Sequence, residues 1–178
     1  MLQMSNIGRI NIRTATLDDA PALVGIYAPY VEGTAISFEY EVPAVEVFRQ
    51  RIADISSRHP YLVAEDEDGR VVGYVYARQL GVRAAFQWAV EESIYIDRHY
   101  KHRGIGRMLH EALEAELRQR GIAMMYACIA FSEEEDEYLT HDSIRFHSRL
   151  GYVEAGHLHR CGKKFGRWYD LVWMEKAL

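Results

Sequence analysis

The stretch KHRGIGR at residues 101–107 sets Gly104 and Gly106 one residue apart among Lys101, His102, Arg103 and Arg107, where a strand-like run gives way to a helix-like one. Such a turn exposes backbone N–H groups and the positive end of a helix dipole, and both favour an anionic oxygen. Glycines at those places let the backbone approach a pyrophosphate with no Cβ in the way. Upstream, Glu91 and Glu92 interrupt the apolar stretch AFQWAVEESIYI, where a carboxylate could take a proton from a bound reactant. Downstream, His147 in FHSRLGY can give a proton at neutral pH. Each feature also has a plain alternative: a softened turn with solvated basic side chains, glutamates solvated at a sheet edge or in a groove, a helix histidine packed on a sheet.

Two familiar phosphate loops do not fit. A dinucleotide fingerprint needs a third small residue where Leu109 stands, and a P-loop needs a Gly-Lys-Ser/Thr ending that is missing.

Holding these residues together requires a mixed α/β sheet. RINIRTAT (9–16) alternates like a strand, and Thr16 with Asp19 forms a capping-box start for a helix to about Tyr30. Pro43 opens a second helix in which Phe48, Ile52 and Ile55 recur at helical spacing, ending before Pro60. YLVAE (61–65), the turn DEDG and VVGYVYAR (71–78) read as a hairpin, followed by a longer strand over 85–96. On that strand Phe86, Trp88, Val90, Ile94 and Ile96 share one face, and Gln87, Ala89, Glu91, Ser93 and Tyr95 the other. After the glycine loop, Ile105, Met108, Leu109, Ala112, Leu113 and Leu117 make an apolar stripe that Gly121 ends. A buried strand (124–130), a short helix (143–151) and two strands complete the order βααβββαβαββ, a single domain over 1–178 with its core at about 9–175.

The 178 residues are 49% hydrophobic and 26% charged, an ordinary globular composition. A net charge of −5 argues against a general nucleic-acid partner. Cys128 and Cys161 build no disulfide framework, the first residues carry no apolar leader, and no run approaches a membrane span; a cytoplasmic protein is expected.

The strand ESIYI, the basic turn KHRGIG, the helix after it and the short helix closing in LGY together resemble the acetyl-CoA motif of the GNAT superfamily of N-acetyltransferases. The usual pattern is Arg/Gln-x-x-Gly-x-Gly/Ala, and Lys101 takes its first place here. The likeness extends to the phosphinothricin and methionine sulfoximine N-acetyltransferase branch through IYAPYVEGTAISFE (26–39), YARQLGVRAAFQW (76–88), VEESIYI (90–96) and KFGRWYD (164–170).

The resemblance implies a mostly antiparallel central sheet flanked by helices, acetyl-CoA as co-substrate, no metal cofactor, and direct acetylation of a small primary amine such as an amino acid or analogue. It puts Glu91 on the branch's catalytic glutamate, as the base that frees the amine, and Glu92 on a variable place. His147 falls where many superfamily members carry a tyrosine acid, and would protonate the leaving thiolate. The fourth and fifth strands are expected to splay around the pantetheine arm, with the backbone of Ile94, Tyr95 and Ile96 bonding its amides and supplying an oxyanion donor. The pyrophosphate would lie on Lys101, His102, Arg103, Gly104, Ile105, Gly106 and Arg107, with Thr140 and Ser143 nearby; the family usually has asparagine where Thr140 stands. The chemistry fits these roles: an ammonium of pKa about 10 needs a base at neutral pH, and a thiolate leaves better with an acid beside it.

On the acceptor side, Arg83 is the residue expected to anchor a carboxylate, with Phe38 as a pocket wall; a solvated loop arginine is the alternative. The acidic insertion SEEEDEYLT (132–140) reads as a solvated loop or as a lid that disfavours anionic acceptors. His157, His159 and Cys161 alternate on one strand, but no matching ligand set is visible and no metal is expected. Cys128 reads as a small hydrophobe and not as an acetyl carrier. A homodimer is expected from the branch, with Trp168, Tyr169 and Trp173 offering an interface or simply packing. The competing readings are an acyl-CoA-binding module without turnover, an acetyltransferase for another amine such as a polyamine, and a nucleotide-dependent transferase.

Overall fold

The computed structural model describes residues 9–178; residues 1–8, part of the stretch read above as free of a leader, lie outside the described residues. Strands β1 (Asn11–Thr14), β2 (Tyr61–Glu65), β3 (Val71–Gln79), β4 (Ala89–Ile96), β5 (Met124–Phe131), β6 (Val153–Lys164) and β7 (Arg167–Ala177) form one sheet in the order β1-β2-β3-β4-β5-β7-β6. Helices α1 (Ala20–Gly33), α2 (Val45–Ser56), α3 (Ile105–Gln119) and α4 (Asp142–Arg149) flank it. The expected element order is the observed one. Only β4 and β5 run parallel; every other neighbouring pair is antiparallel.

The capping box at Thr16 and Asp19 opens a short 3-10 turn that passes into α1, and Arg13 grips both oxygens of the Asp19 carboxylate at 2.7 and 2.8 Å. One sheet face buries Leu23, Ile26, Tyr27 and Tyr30 of α1 with Phe48 and Ile52 of α2. The other buries Ile105, Leu109, Leu113 and Leu117 of α3, each such side chain contributing about 1.5–3 kcal/mol. Met108, expected in that stripe, is exposed, and His110 takes the inward place instead. Among the described residues no helix is long and apolar enough to cross a membrane.

The strand expected over 85–96 is shorter. Residues Ala84–Trp88 form a 3-10 turn, and regular pairing with β3 runs from Val90 to Ile96. A bond from Leu80 N–H to the Ala89 carbonyl closes the connection at that point, so Phe86 and Trp88 stay exposed instead of joining the face of Val90. From Val90 onward the alternation holds: Glu91 turns to the α1/α2 side and Glu92, with Val90, to the α3 side.

At the far end of the sheet, Lys164 is buried and its ammonium donates to the carbonyls of Val31, Thr34 and Ser37 at 2.6, 2.9 and 2.7 Å. Those acceptors include the free carbonyls of the last turn of α1, so one cation ties that helix to β6.

Candidate active site

Strands β4 and β5 pair only from Ala89 with Met124 to Glu92 with Ala127. Beyond that they part: Ser93–Ile96 stay on β3, while Cys128–Phe131 stay on β7. A narrow throat of about 50 Å³ opens in the gap, lined by Ser93, Ile94, Tyr95, Cys128, Ile129, Ala130, Leu139 and Ser143 among others. A cleft lies on one side of it and a cavity on the other.

The cleft, of about 580 Å³, brings together most of the residues expected to hold the co-substrate. Ile94, Ile96, Lys101, His102, Gly104, Ile105, Gly106, Arg107, Thr140 and Ser143 line it. Tyr95 lines the throat instead, and Arg103 lies 4.9 Å over the Tyr100 ring, outside the lining. Gly104 is the N-cap of α3 at φ 79°, a conformation that L side chains avoid, and the first N–H groups of the helix follow it. The cations Lys101, Arg107 and Arg149 line the same cleft. A glycine turn, free helix N–H groups, positive charge and an apolar strand edge suit a long ligand with an anionic head and a neutral arm.

The cavity on the other side, of about 430 Å³, holds Glu91. Its carboxylate accepts from Arg78 at 2.9 Å, and a second pair, Arg51 with Glu39 at 2.7 Å, lines the same space with Tyr27, Tyr76 and Cys128. Phe38 is in the wall as expected, and Gly162 makes room for it, since any Cβ there would strike the Phe38 ring. Arg83 is not in the lining; it sits on the exposed turn after β3, where its carbonyl accepts from Gln79 at 3.1 Å. The arginines that reach the cavity are Arg51 and Arg78, which the sequence reading missed. Burial, followed by the Glu91 charge, pushes the Cys128 thiol up to about 12, so it is protonated at neutral pH and a poor nucleophile.

Glu91 and His147 are not brought together. His147 is buried on the α3 side, where its Nδ1 lies 2.7 Å from the Ser143 carbonyl and its Nε2 3.4 Å from Glu92 Oε1. Glu92 is therefore no edge carboxylate: it is 3% exposed. The Tyr152 hydroxyl donates to it at 2.5 Å, and His110 Nε2 lies 3.5 Å from it. Burial alone would raise the Glu92 carboxyl, but the His147 and His110 imidazoles beside it and the Tyr152 hydrogen bond together hold it below its ordinary range. Burial lowers His110, favouring its neutral form, and it raises Tyr152, which therefore stays a donor. An acid next to a predicted catalytic residue, with a second polar residue, His110, inside an apolar helix stripe, was the available signal for this cluster.

The acidic insertion is a surface loop tied down at several points, and it does not line the cavity. Arg145 pairs with Glu135 at 2.7 Å, and Arg167 reaches Asp136 at 2.9 Å and Glu137 at 2.8 Å. The loop is tied to the end of α1 through Ala35 N–H and the Tyr138 carbonyl at 2.9 Å. Leu139 is buried at the throat and Thr140 reaches the cleft. Glu135, Asp136 and Glu137 are thus paired with arginines, while Glu133 and Glu134 are exposed.

Known proteins carry the same plan. The GNAT acetyltransferase domain family matches residues 12–173. A phosphinothricin N-acetyltransferase of Alcaligenes faecalis is 35% identical over 94% of this chain and 82% of its own length. An L-methionine sulfoximine/L-methionine sulfone acetyltransferase of Pseudomonas aeruginosa is 33% identical over 94% of each chain. A phosphinothricin acetyltransferase of Sinorhizobium meliloti, solved in complex with AcCoA, superposes with a TM-score of 0.86 at 30% identity, covering 95% of this chain and 88% of that one.

Proposed function

Because this chain belongs to the GNAT acetyltransferase family and is an N-acetyltransferase, we propose that it acetylates the amine of a small amino acid or amino-acid analogue, directly from acetyl-CoA. The observation that carries this reading is the parting of β4 and β5, which joins a glycine-loop cleft to a cavity holding Glu91 and two arginine–glutamate pairs. An amino acid is a zwitterion of matching size: Glu91 faces its ammonium, and Arg51 or Arg78 its carboxylate. Arg83 is left outside this assignment.

Acetyl-CoA supplies the acyl group and a thiol leaving group. Glu91, directly or through water, takes the proton that the amine must lose. The backbone of Ile94 to Ile96 holds the neutral arm in the cleft, and a β4 N–H faces the carbonyl oxygen as charge develops on it. His147 returns a proton to the thiolate through a short local movement, since its ring is covered in this state. Its Nδ1 faces the Ser143 carbonyl, which can only accept, so that nitrogen carries hydrogen. Glu92, 3.4 Å from Nε2, thus acts as a positioning residue for the ring. The raised Cys128 thiol supports direct transfer over an acetyl-cysteine intermediate.

The same reading gives a cytoplasmic homodimer working on a small molecule, with neither nucleic acid nor membrane as partner and no metal in the reaction. Exposed Val153, Leu158 and Trp168 along the β6–β7 hairpin support a subunit contact there, whereas Tyr169 is core.

Thiol release measured over a panel of amines tests the assignment. Turnover with methionine sulfoximine, phosphinothricin or a proteinogenic amino acid is expected, with the corresponding decarboxylated amine at least tenfold poorer. A polyamine as best acceptor, or tight acetyl-CoA binding with no turnover on any amine, would overturn it.

A further inference from the structure

β6 and β7 fall out of register between Leu158, which pairs with Leu171, and Gly162, which pairs with Tyr169. Residues 159–161 therefore stand opposite Asp170 alone. Arg160 takes φ 50°, and its backbone N–H donates to Asp170 Oδ1 at 2.6 Å. The carboxylate is thereby fixed with Oδ2 facing two imidazoles: His157 Nε2 at 2.8 Å and His159 Nδ1 at 3.2 Å. The rings lie 4.3 Å apart, and Phe131 packs edge-on against His157 at 5.2 Å.

We propose that His157, His159 and Asp170 form a binding site for a borderline divalent cation of the zinc class. These three donor atoms lie within 4.8 Å of one another. Bonds of about 2.0–2.2 Å in a tetrahedral shell place donors roughly 3.3 Å apart, so the site needs small adjustments and the tautomers that leave both facing ring nitrogens free of hydrogen. Two imidazoles and one carboxylate suit zinc, cobalt, nickel or copper, and suit calcium or magnesium poorly. The main-chain N–H on Oδ1 orients the carboxylate as outer partners do in metal sites. His159 is exposed, leaving a fourth position open to water. Arg160 and Lys163, on the same strand, each lie 5.4 Å over the Trp168 ring. Cys161, the third ligand that alternation suggested, is displaced by the bulge; its sulfur faces the Leu158 and Tyr169 carbonyls at 3.5 and 3.9 Å. The group lines neither the cleft nor the cavity, so the ion would strap β6 to β7 and take no part in acetyl transfer.

The test is calorimetric titration of zinc chloride into the chelator-treated full chain at pH 7.5, with cobalt(II) absorption as the probe of geometry. One ion per chain, a tetrahedral cobalt spectrum and a higher Tm with zinc are expected. His159→Ala, which changes an exposed side chain, and Asp170→Asn should each weaken binding at least tenfold while acetyl-CoA affinity stays unchanged. Titration without saturation at millimolar zinc, or equal affinity in His159→Ala, would overturn the proposal.

Discussion

Nε2 of His147 lies 3.4 Å from Oε1 of Glu92, and both side chains are cut off from solvent on the α3 side of the sheet. The same carboxylate accepts from Tyr152, whose oxygen lies 3.2 Å from His110 Nε2. A buried carboxylate is costly unless paired, and here the pair is the residue proposed as the acid.

Removing the charge but keeping the shape separates positioning from packing. In Glu92→Gln kcat should fall about threefold to tenfold with acetyl-CoA affinity unchanged, because His147 loses the carboxylate that orients its ring at 3.4 Å. His147→Phe should slow transfer about tenfold or more, and Glu92→Gln should add little in that background. Additive losses would show that Glu92 only packs.

Cys128 lies at the throat, yet burial and then Glu91 raise its thiol to about 12. Iodoacetamide at pH 7.5 should leave turnover intact for hours, and Cys128→Ala should keep kcat within about threefold. Loss of activity on replacement would revive an acetyl-cysteine route.

The order of elements, the glycine-loop helix start and the helix-ending Gly121 were legible because each rests on local chemistry: periodicity, a cap, a positive φ. So was the alternation that sends Glu91 and Glu92 to opposite faces. Which glutamate would be buried was not, since that depends on His110 from α3 and Tyr152 beyond α4 arriving beneath β4. Arg51 and Arg78 were missed for the same reason: α2 and β3 meet at the cavity only in the folded sheet. Residues 84–88 misled because their apolar alternation is that of a strand, while Gly81 and the Leu80–Ala89 bond make them a turn.

Acid should weaken the fold through Asp19 and Glu92. Desolvation would raise both carboxyls, but Arg13 with Thr16 outweighs it for Asp19, and His147, His110 and Tyr152 together outweigh it for Glu92, so each folded pKa lies below the ordinary values of 3.8 and 4.5. The unfolded chain then binds more protons near pH 4, and stability rises with pH. The contribution is complete above those ordinary values and is lost as pH falls through the lower folded ones. Tm followed from pH 7 to 3 should drop below pH 4.5, less steeply in Asp19→Asn; an equal slope in that variant would contradict the pairing.

Lys164→Met leaves three buried carbonyls without their shared donor and should cost about 2–4 kcal/mol in urea unfolding. An unchanged midpoint would mean that α1 ends without help from β6.

The central claim is that Glu91, across the parted strands from the glycine-loop cleft, takes the proton from the amine. Steady-state kinetics of Glu91→Gln, beside calorimetric acetyl-CoA binding, tests it most directly. The account predicts a kcat lower by about 10²–10⁴ with acetyl-CoA affinity unchanged; near-normal turnover in that variant would contradict it.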